Sequence, residues 1–151
     1  MKVIGIRCTK DQIQWVVVRG ESRGEAVVLD HDEATAPVGD RAEQLAWASK
    51  ELIEVLGKHQ PERVSLRVAE AGQSVSAAIL LRAEMDGVMQ AAASSRGLTV
   101  QRFSSATIRS TFSAKNKIEL DRVMAGIPCV AAMTKSRQEQ TVVAVAALPS
   151  E

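Results

Sequence analysis

The chain begins with the stretch Val-Ile-Gly-Ile-Arg at residues 3–7, in which apolar residues run directly into the charged Arg7. Its β-branched residues favour a strand over residues 2–6, and a second strand-like stretch, residues 12–18, follows a polar turn. A third strand is predicted over residues 25–29, beyond a glycine-bounded turn at residues 20–24. We therefore expect the chain to open as a three-stranded antiparallel meander, with Arg7 at the end of its first strand.

The rest of the chain alternates helices and strands. Residues 31–39, which include Pro37, are predicted as a loop, and Asp40 with Glu43 forms a capping box for a helix that ends near Gly57. The further predicted elements are a strand at residues 64–68, a helix at 75–95 capped by residues 72–74, a strand at 98–103, a short helix capped by Ser105, a helix at 117–124, and a C-terminal helix at 135–147 in which residues 142–145 also fit a strand. This order predicts an α/β fold, a mixed sheet of three antiparallel and then two parallel strands flanked by helices.

The composition is that of an ordinary folded protein, with 46% hydrophobic and 25% charged residues, and we expect residues 1–151 to form one domain. The net charge of +1 gives no overall field that favours nucleic acid or membrane, so such binding needs a local patch. The two cysteines, Cys8 and Cys129, indicate reduced, buried thiols rather than a disulfide framework. Because no signal peptide and no long apolar run is evident, we expect a cytoplasmic protein with no membrane partner.

Four short motifs carry a resemblance to a known family. They are Ile-Gly-Ile-Arg at residues 4–7, similar to the family's Leu-Gly-Ile-Asp; Pro-Glu-Arg-Val-Ser-Leu-Arg at 61–67; the strand-to-helix stretch at 105–111 with 115–119; and Gln-Thr-Val-Val-Ala-Val-Ala at 140–146. With the order of elements, they make the chain resemble the ribonuclease H-like superfamily and, within it, the RuvC-type Holliday-junction resolvases. A small uncharacterised bacterial family of this fold is similar in length and layout. The resemblance implies a DNA-backbone partner and a homodimer formed about the long helix at 75–95.

The chain departs from this family at the metal-binding acids. Carried over position by position, the four acids fall on Arg7, Arg67, Gln138 and Thr141, none of which is a carboxylate. Two-metal phosphodiester hydrolysis needs carboxylates to hold the ions. An arginine about 4 Å from a divalent ion would be repelled by roughly 8 kcal/mol at an effective dielectric constant near 20. We therefore expect no metal, no cofactor and no catalytic residue.

The cationic residues offer a different chemistry at the same place. If Arg7 and Arg67 lie on adjacent strands with their side chains at the same end, their guanidinium groups could bind a phosphate group in bidentate fashion. The alternative is that each is paired in a structural salt bridge with a carboxylate such as Glu70 or Glu139. The complete nucleic-acid-binding set predicted from the sequence is Arg7, Arg67, Lys115, Lys117, Lys135 and Arg137. The alternative to a binding function is that these residues belong to a solvated surface on which acidic residues nearly balance the basic ones.

Three functions remain open at the level of the sequence. The first is a catalytically degenerate RuvC-like domain that acts as a binding or assembly module, on a DNA or RNA backbone or as a subunit of a larger complex. The second is an active metal-dependent nuclease with relocated acids, Glu70, Glu139 and Asp11. The third is a structural interaction protein whose alanine-rich helix at 75–95 is the binding surface, with Glu84 and Asp86 at the surface or interface rim.

Overall fold

The protein is described by a computed structural model that covers residues 1–72 and 74–151. The elements in chain order are β1 (Lys2–Cys8), β2 (Gln12–Arg19), β3 (Val27–Thr35), α1 (Arg41–His59), β4 (Arg63–Arg67), α2 (Ala77–Ser95), β5 (Thr99–Phe103), α3 (Ser105–Thr111), α4 (Lys117–Ala125), α5 (Pro128–Ala131) and α6 (Lys135–Ala146). Their order confirms the predicted α/β fold. The short α5, which the sequence prediction lacked, begins with a proline at its first position, where the missing N–H has no helical partner to lose.

The five strands form one mixed sheet in the order β3-β2-β1-β4-β5. β1 and β3 both run antiparallel to β2, whereas β1 pairs with β4 and β4 with β5 in parallel. The parallel strands β1, β4 and β5 therefore end at the same edge of the sheet. Arg7 and Arg67, two of the four residues at the expected positions of the metal-binding acids, lie at this edge.

Helices cover both faces of the sheet. On one face, α1 and α2 pack in a core that includes Ile4 and Met89, both fully buried. On the other face, α6 with α3, α4 and α5 packs in a second core that includes Val3 and Val143, also fully buried. No helix in the described part of the chain is both long and apolar enough to cross a membrane.

Gly5 allows α6 to lie directly against the centre of the sheet. A Cβ atom at Gly5 would lie 1.9 Å from the carbonyl oxygen of Gln140 and 2.8 Å from the Cβ atom of Ala144. A side chain of any size at this position would push α6 away from β1. This close approach fixes α6 over the sheet, with its N-terminal turns near the ends of β1 and β4.

β3 is longer than the sequence predicted. It runs to Thr35 rather than ending at Leu29, so the segment His31–Glu33, predicted as a loop, lies in a strand. The extension pairs β3 with β2 along its length, with an irregularity between Val17 and Val18. The prediction was wrong because polar side chains on an exposed edge strand look like a loop, although their backbone groups are paired with β2.

Two helices begin at a different serine from the one predicted. α2 is capped by Ser76, whose side chain accepts a hydrogen bond from the Ile79 N–H, so the helix does not begin at Val75. α3 is capped by Ser104, which accepts from the Thr107 N–H, and not by Ser105. Both stretches contain more than one serine, and the sequence does not distinguish which hydroxyl reaches the first turn. Gln73, part of the predicted α2 cap, lies outside the described residues.

The two cysteines are free, as the composition predicted. Cys8 is fully buried on β1, and Cys129 is partly buried on α5. Burial raises the pKa of both thiols, which keeps them protonated and unreactive.

Candidate nucleic-acid interface

Arg7 and Arg67 lie side by side at the common edge of the parallel strands. They form the last register pair between β1 and β4. The condition on which the phosphate hypothesis depends, that the two arginines lie on adjacent strands, is therefore met. Their side chains nevertheless have different surroundings, because Arg67 is hydrogen-bonded to the start of α3 and Arg7 to a side chain of α6.

Arg67 is held by backbone carbonyl groups and a hydroxyl. Its Nη1 donates to the carbonyl oxygens of Val68 at 3.0 Å and Phe103 at 3.4 Å, and its Nη2 donates to the Ser105 Oγ at 2.9 Å. The same Nη1 lies 3.0 Å from Oε2 of Glu70. Only 9% of the residue is exposed. Arg67 thus cross-links the ends of β4 and β5 to the start of α3.

Arg7 is more accessible and has fewer protein partners. Its Nε donates to Oε2 of Glu139 on α6, and its Nη1 donates to Oε1 of Gln14 at 3.3 Å. The other oxygen of Glu139 lies 3.6 Å from the Nε of Arg67. One carboxylate therefore lies between the two guanidinium groups, and the alternative that each arginine is paired with Glu70 or Glu139 matches the structure.

Glu70 connects the β4–α2 segment to the start of α3. Its oxygens accept hydrogen bonds from the Ser105 N–H at 3.2 Å and the Ser105 hydroxyl at 2.8 Å. Burial raises the pKa of the Glu70 carboxyl, but the Ser105 hydrogen bonds and the charge of Arg67 outweigh it, so this pKa lies below its ordinary value. Glu70 is therefore ionised and fixed in place at neutral pH.

Two charged side chains of α2, the partly buried Arg82 and the buried Asp86, bind the backbone behind the site. Nη2 of Arg82 donates to the Arg67 carbonyl oxygen at 3.1 Å, and Oδ2 of Asp86 accepts from the Ala69 N–H at 2.7 Å. Burial raises the pKa of Asp86, although the Ala69 N–H and the charge of Arg82 act in the opposite direction. Burial also lowers the pKa of Arg82. The prediction that Asp86 lies at the surface or interface rim is wrong, since only 4% of it is exposed.

In front of the arginines lies a half-open cavity of about 1020 Å³, bounded by the strand ends, α3, α4, α5 and α6. Its charged lining residues are Arg7, Arg67, Arg109, Lys117, Lys135, Asp121 and Glu139. Its apolar lining residues include Ile108, Leu120, Met124, Val130 and Val142. Five cations and two carboxylates line the cavity, so it is strongly positive although the whole chain carries only +1.

The structure brings together four of the six predicted binding residues. The cavity is lined by Arg7, Arg67, Lys117 and Lys135. The Nζ of Lys117 also lies 3.3 Å from Oδ2 of Asp121. Lys115 and Arg137 are not among the lining residues, and Arg137 contacts the His31 ring on β3 instead. Arg109, which is not in the predicted binding set, does line the cavity. A helix-spacing argument could have found it, because Ser105 and Arg109 lie four residues apart on α3.

The family model of the crossover junction endodeoxyribonuclease RuvC matches residues 3–148, nearly the whole chain. The chain belongs to the RuvC family. A comparison with curated protein sequences gave no significant match.

Solved RuvC structures share the fold. The structure of Thermus thermophilus RuvC is similar at 19% identity and a TM-score of 0.78, over 97% of this chain and 92% of that one. T. thermophilus RuvC in complex with a Holliday junction substrate gives 18% identity and a TM-score of 0.74, over 97% and 91% of the two chains. The yeast mitochondrial Holliday junction resolvase Ydc2 is similar at 9% identity and a TM-score of 0.63, over 95% and 76%. The likeness to these structures supports the ribonuclease H-like fold.

The RuvC resemblance implies a metal centre at this edge of the sheet, and the residues present do not fit one. Glu70 and Glu139 are the carboxylates beside the strand ends, and each contacts a guanidinium group. Asp11, the third candidate acid, lies in the β1–β2 turn, where it contacts Thr9. The described residues contain no group of three or more His, Cys, Asp or Glu side chains that could hold a metal ion. Divalent cations prefer oxygen ligands, whereas the guanidinium groups of Arg7 and Arg67 place two positive charges at this edge and would repel a metal ion.

Proposed function

We propose that this RuvC-family chain is a module that binds nucleic-acid backbones at the cationic cavity and does not hydrolyse them. The observation that carries the proposal is the pairing of Arg7 with Arg67 at the ends of β1 and β4, the edge where the family resemblance expects metal-binding acids. The guanidinium groups would supply by hydrogen bonding the charge neutralisation that metal ions supply in an active nuclease.

The surrounding residues support a phosphate ligand. Arg109 and Lys135 line the cavity, and neither side chain has an ion-pair or hydrogen-bond partner among residues 1–72 and 74–151. Such cations attract a polyanion and release its counterions on binding, which gives affinity without sequence preference. In this proposal Arg67 holds the strand ends together and offers phosphate its Nε–H, which has no hydrogen-bond partner among the described residues. The other phosphate contacts come from Arg7, Arg109, Lys117 and Lys135. Lys115 and Arg137 lie outside the cavity, where they would contact a longer backbone.

The proposal is tested by the salt dependence of binding to a four-way DNA junction, to duplex DNA and to RNA, all in EDTA. We expect wild-type affinity to fall steeply with salt, and Arg109→Gln and Lys135→Gln each to reduce the log–log slope by about one unit. The matched control is Lys50→Gln, an exposed lysine on α1 across the sheet, which should leave the slope unchanged. No binding to any of these ligands at low salt would overturn the proposal.

We further propose that the chain forms a homodimer through the exposed face of α2, as the resemblance implies. Ala77, Ala78, Ala83 and Gly87 are exposed on this helix, and Leu80 is 58% exposed. Small side chains on a helix permit close approach of a second copy related by two-fold symmetry. Leu80→Lys should shift the sedimentation profile to monomer, whereas Val38→Lys, at an exposed valine of the loop before α1, should not. Identical profiles for the two variants would contradict the dimer.

A further inference from the structure

The carboxylate of Glu139 occupies the place where a phosphate would meet the two arginines. Its Oε2 accepts from Nε of Arg7, and its Oε1 lies 3.6 Å from Nε of Arg67. Carboxylate and phosphate oxygens present the same acceptor geometry to a guanidinium group. An incoming phosphate and Glu139 therefore compete for the same donors.

Of the two acids at the site, Glu139 is the one that can leave. Glu70 is held by the N–H and hydroxyl of Ser105 as well as by Arg67. The Glu139 side chain has the two arginines as its polar partners among the described residues, and 47% of it is exposed. Moving Glu139 away breaks contacts to the arginines alone and leaves the strand ends and α3 connected.

The outer cations make displacement depend on the length of the ligand. Lys135 and Glu139 are four residues apart on α6, so they lie on the same side of the helix, separated by about 6 Å along its axis. Arg109 and Lys117 line the cavity from α3 and α4. A polynucleotide that contacts these cations holds its next phosphate at high effective concentration beside the arginines. Inorganic phosphate has no second contact and must displace Glu139 unaided.

We propose that Glu139 is a specificity residue that makes the site select phosphates on a polynucleotide over free phosphate. The inference rests on the proposed function, because it concerns the same cavity. It assigns Glu139 the role of an internal competitor, in contrast to the relocated catalytic acid that the nuclease alternative requires.

The test is the affinity of Glu139→Gln and of Glu139→Ala for inorganic phosphate, measured by calorimetry, beside the affinity for a four-way DNA junction. We expect each variant to bind phosphate at least about tenfold more tightly than the wild type, since one opposing charge is removed from between two cations. Affinity for the junction should rise by a smaller factor, because its contacts to the outer cations are unchanged, so the selectivity for the junction decreases. The gain should disappear when Arg7→Gln is added. Glu54→Gln, which removes an exposed carboxylate from α1 on the other face, should leave phosphate binding unchanged.

The phosphate and junction measurements distinguish a failure of this inference from a failure of the proposed function. Phosphate affinity that is the same in the wild type and both Glu139 variants, each folded by circular dichroism, overturns the competitor role even when junction binding is intact. Junction binding that is absent from the wild type and both variants overturns the proposed function, whatever the phosphate result. A gain in phosphate affinity that persists without Arg7 also contradicts the inference, because the gain would then arise elsewhere.

Discussion

At the scale of single residues, Arg7 and Arg67 have different roles although they are register neighbours. Arg67 is nearly buried and donates to the ends of β4 and β5 and to Ser105. Arg7 is more exposed, and its charged partner is the half-exposed carboxylate of Glu139. Arg67 maintains the shape of the site, and Arg7 is the arginine that is more accessible to a ligand.

This difference predicts unequal effects on stability. Arg67→Met should lower the free energy of unfolding by about 3 kcal/mol, because it leaves Glu70 and two carbonyl groups without their cation. Arg7→Met should cost less than about 1 kcal/mol, since its ion pair is partly solvated. Urea denaturation of both variants measures the two costs. Equal costs would show that Arg67 is not the structural link described above.

Asp86 predicts a pH dependence of stability. Burial raises its folded pKa above the ordinary 3.8, so at pH values between the unfolded and the folded pKa the folded state holds a proton that the unfolded state has released. Stability from this group is present below the ordinary pKa and decreases as the pH rises through the folded pKa. Asp86→Asn keeps an acceptor for the Ala69 N–H without the charge. The variant should therefore gain stability relative to the wild type between about pH 4 and pH 7 in urea titrations. A constant difference across this range would contradict the assignment.

The sequence predicted part of this site. The phosphate hypothesis required Arg7 and Arg67 to lie on adjacent strands, as they do, and the salt-bridge alternative named Glu70 and Glu139 as their partners. Asp86 was not recognised as buried, because apolar residues occur on more than one face of α2 and do not indicate which face packs on the sheet. The cavity lining could not be predicted, since it depends on how α3 and α4 fold back over α6.

At the scale of elements, the position of α6 depends on Gly5. Gly5→Ala should destabilise the protein by about 3 kcal/mol, because its Cβ atom would collide with the Gln140 carbonyl group. Gly57→Ala is the matched control, because it replaces a glycine inside α1 and its added Cβ atom would lie 3.7 Å from Nη2 of Arg96, an ordinary van der Waals contact. We expect this control to gain about 1 kcal/mol. Thermal unfolding of the two variants should thus shift in opposite directions.

The element boundaries show where local patterns are sufficient. The capping box of Asp40 and Glu43 predicted the start of α1, and the Asp40 side chain does accept from the Glu43 N–H. α6 is a helix although residues 142–145 also fit a strand. Residues 142–146 are apolar and all buried, so this part of the helix is apolar around its circumference and lacks the one-sided pattern that identifies a surface helix. The end of β3 was missed because edge pairing is set by a neighbouring strand and not by local sequence.

At the scale of the whole molecule, both cores share one sheet, and we propose that residues 1–151 unfold as one unit. Arg23 adds a connection between distant parts, donating to the carbonyl oxygens of Thr111, Ala146 and Leu148 at 3.1–3.3 Å. Fluorescence of Trp15 and Trp47 reports the α1/α2 face, whereas far-ultraviolet circular dichroism reports all helices. The two unfolding curves should coincide. Separate midpoints would indicate that the α6 face unfolds independently.

We propose that the RuvC-family sheet edge of this chain, with arginines in place of acids, binds a nucleic-acid backbone without cleaving it. The most direct measurement is a gel assay in which a four-way DNA junction is incubated with the protein in Mg²⁺ or Mn²⁺ and scored for both bound and cut strands. We expect a salt-sensitive complex with every strand intact. Metal-dependent cleavage by the wild type that disappears in Glu70→Gln would contradict the account.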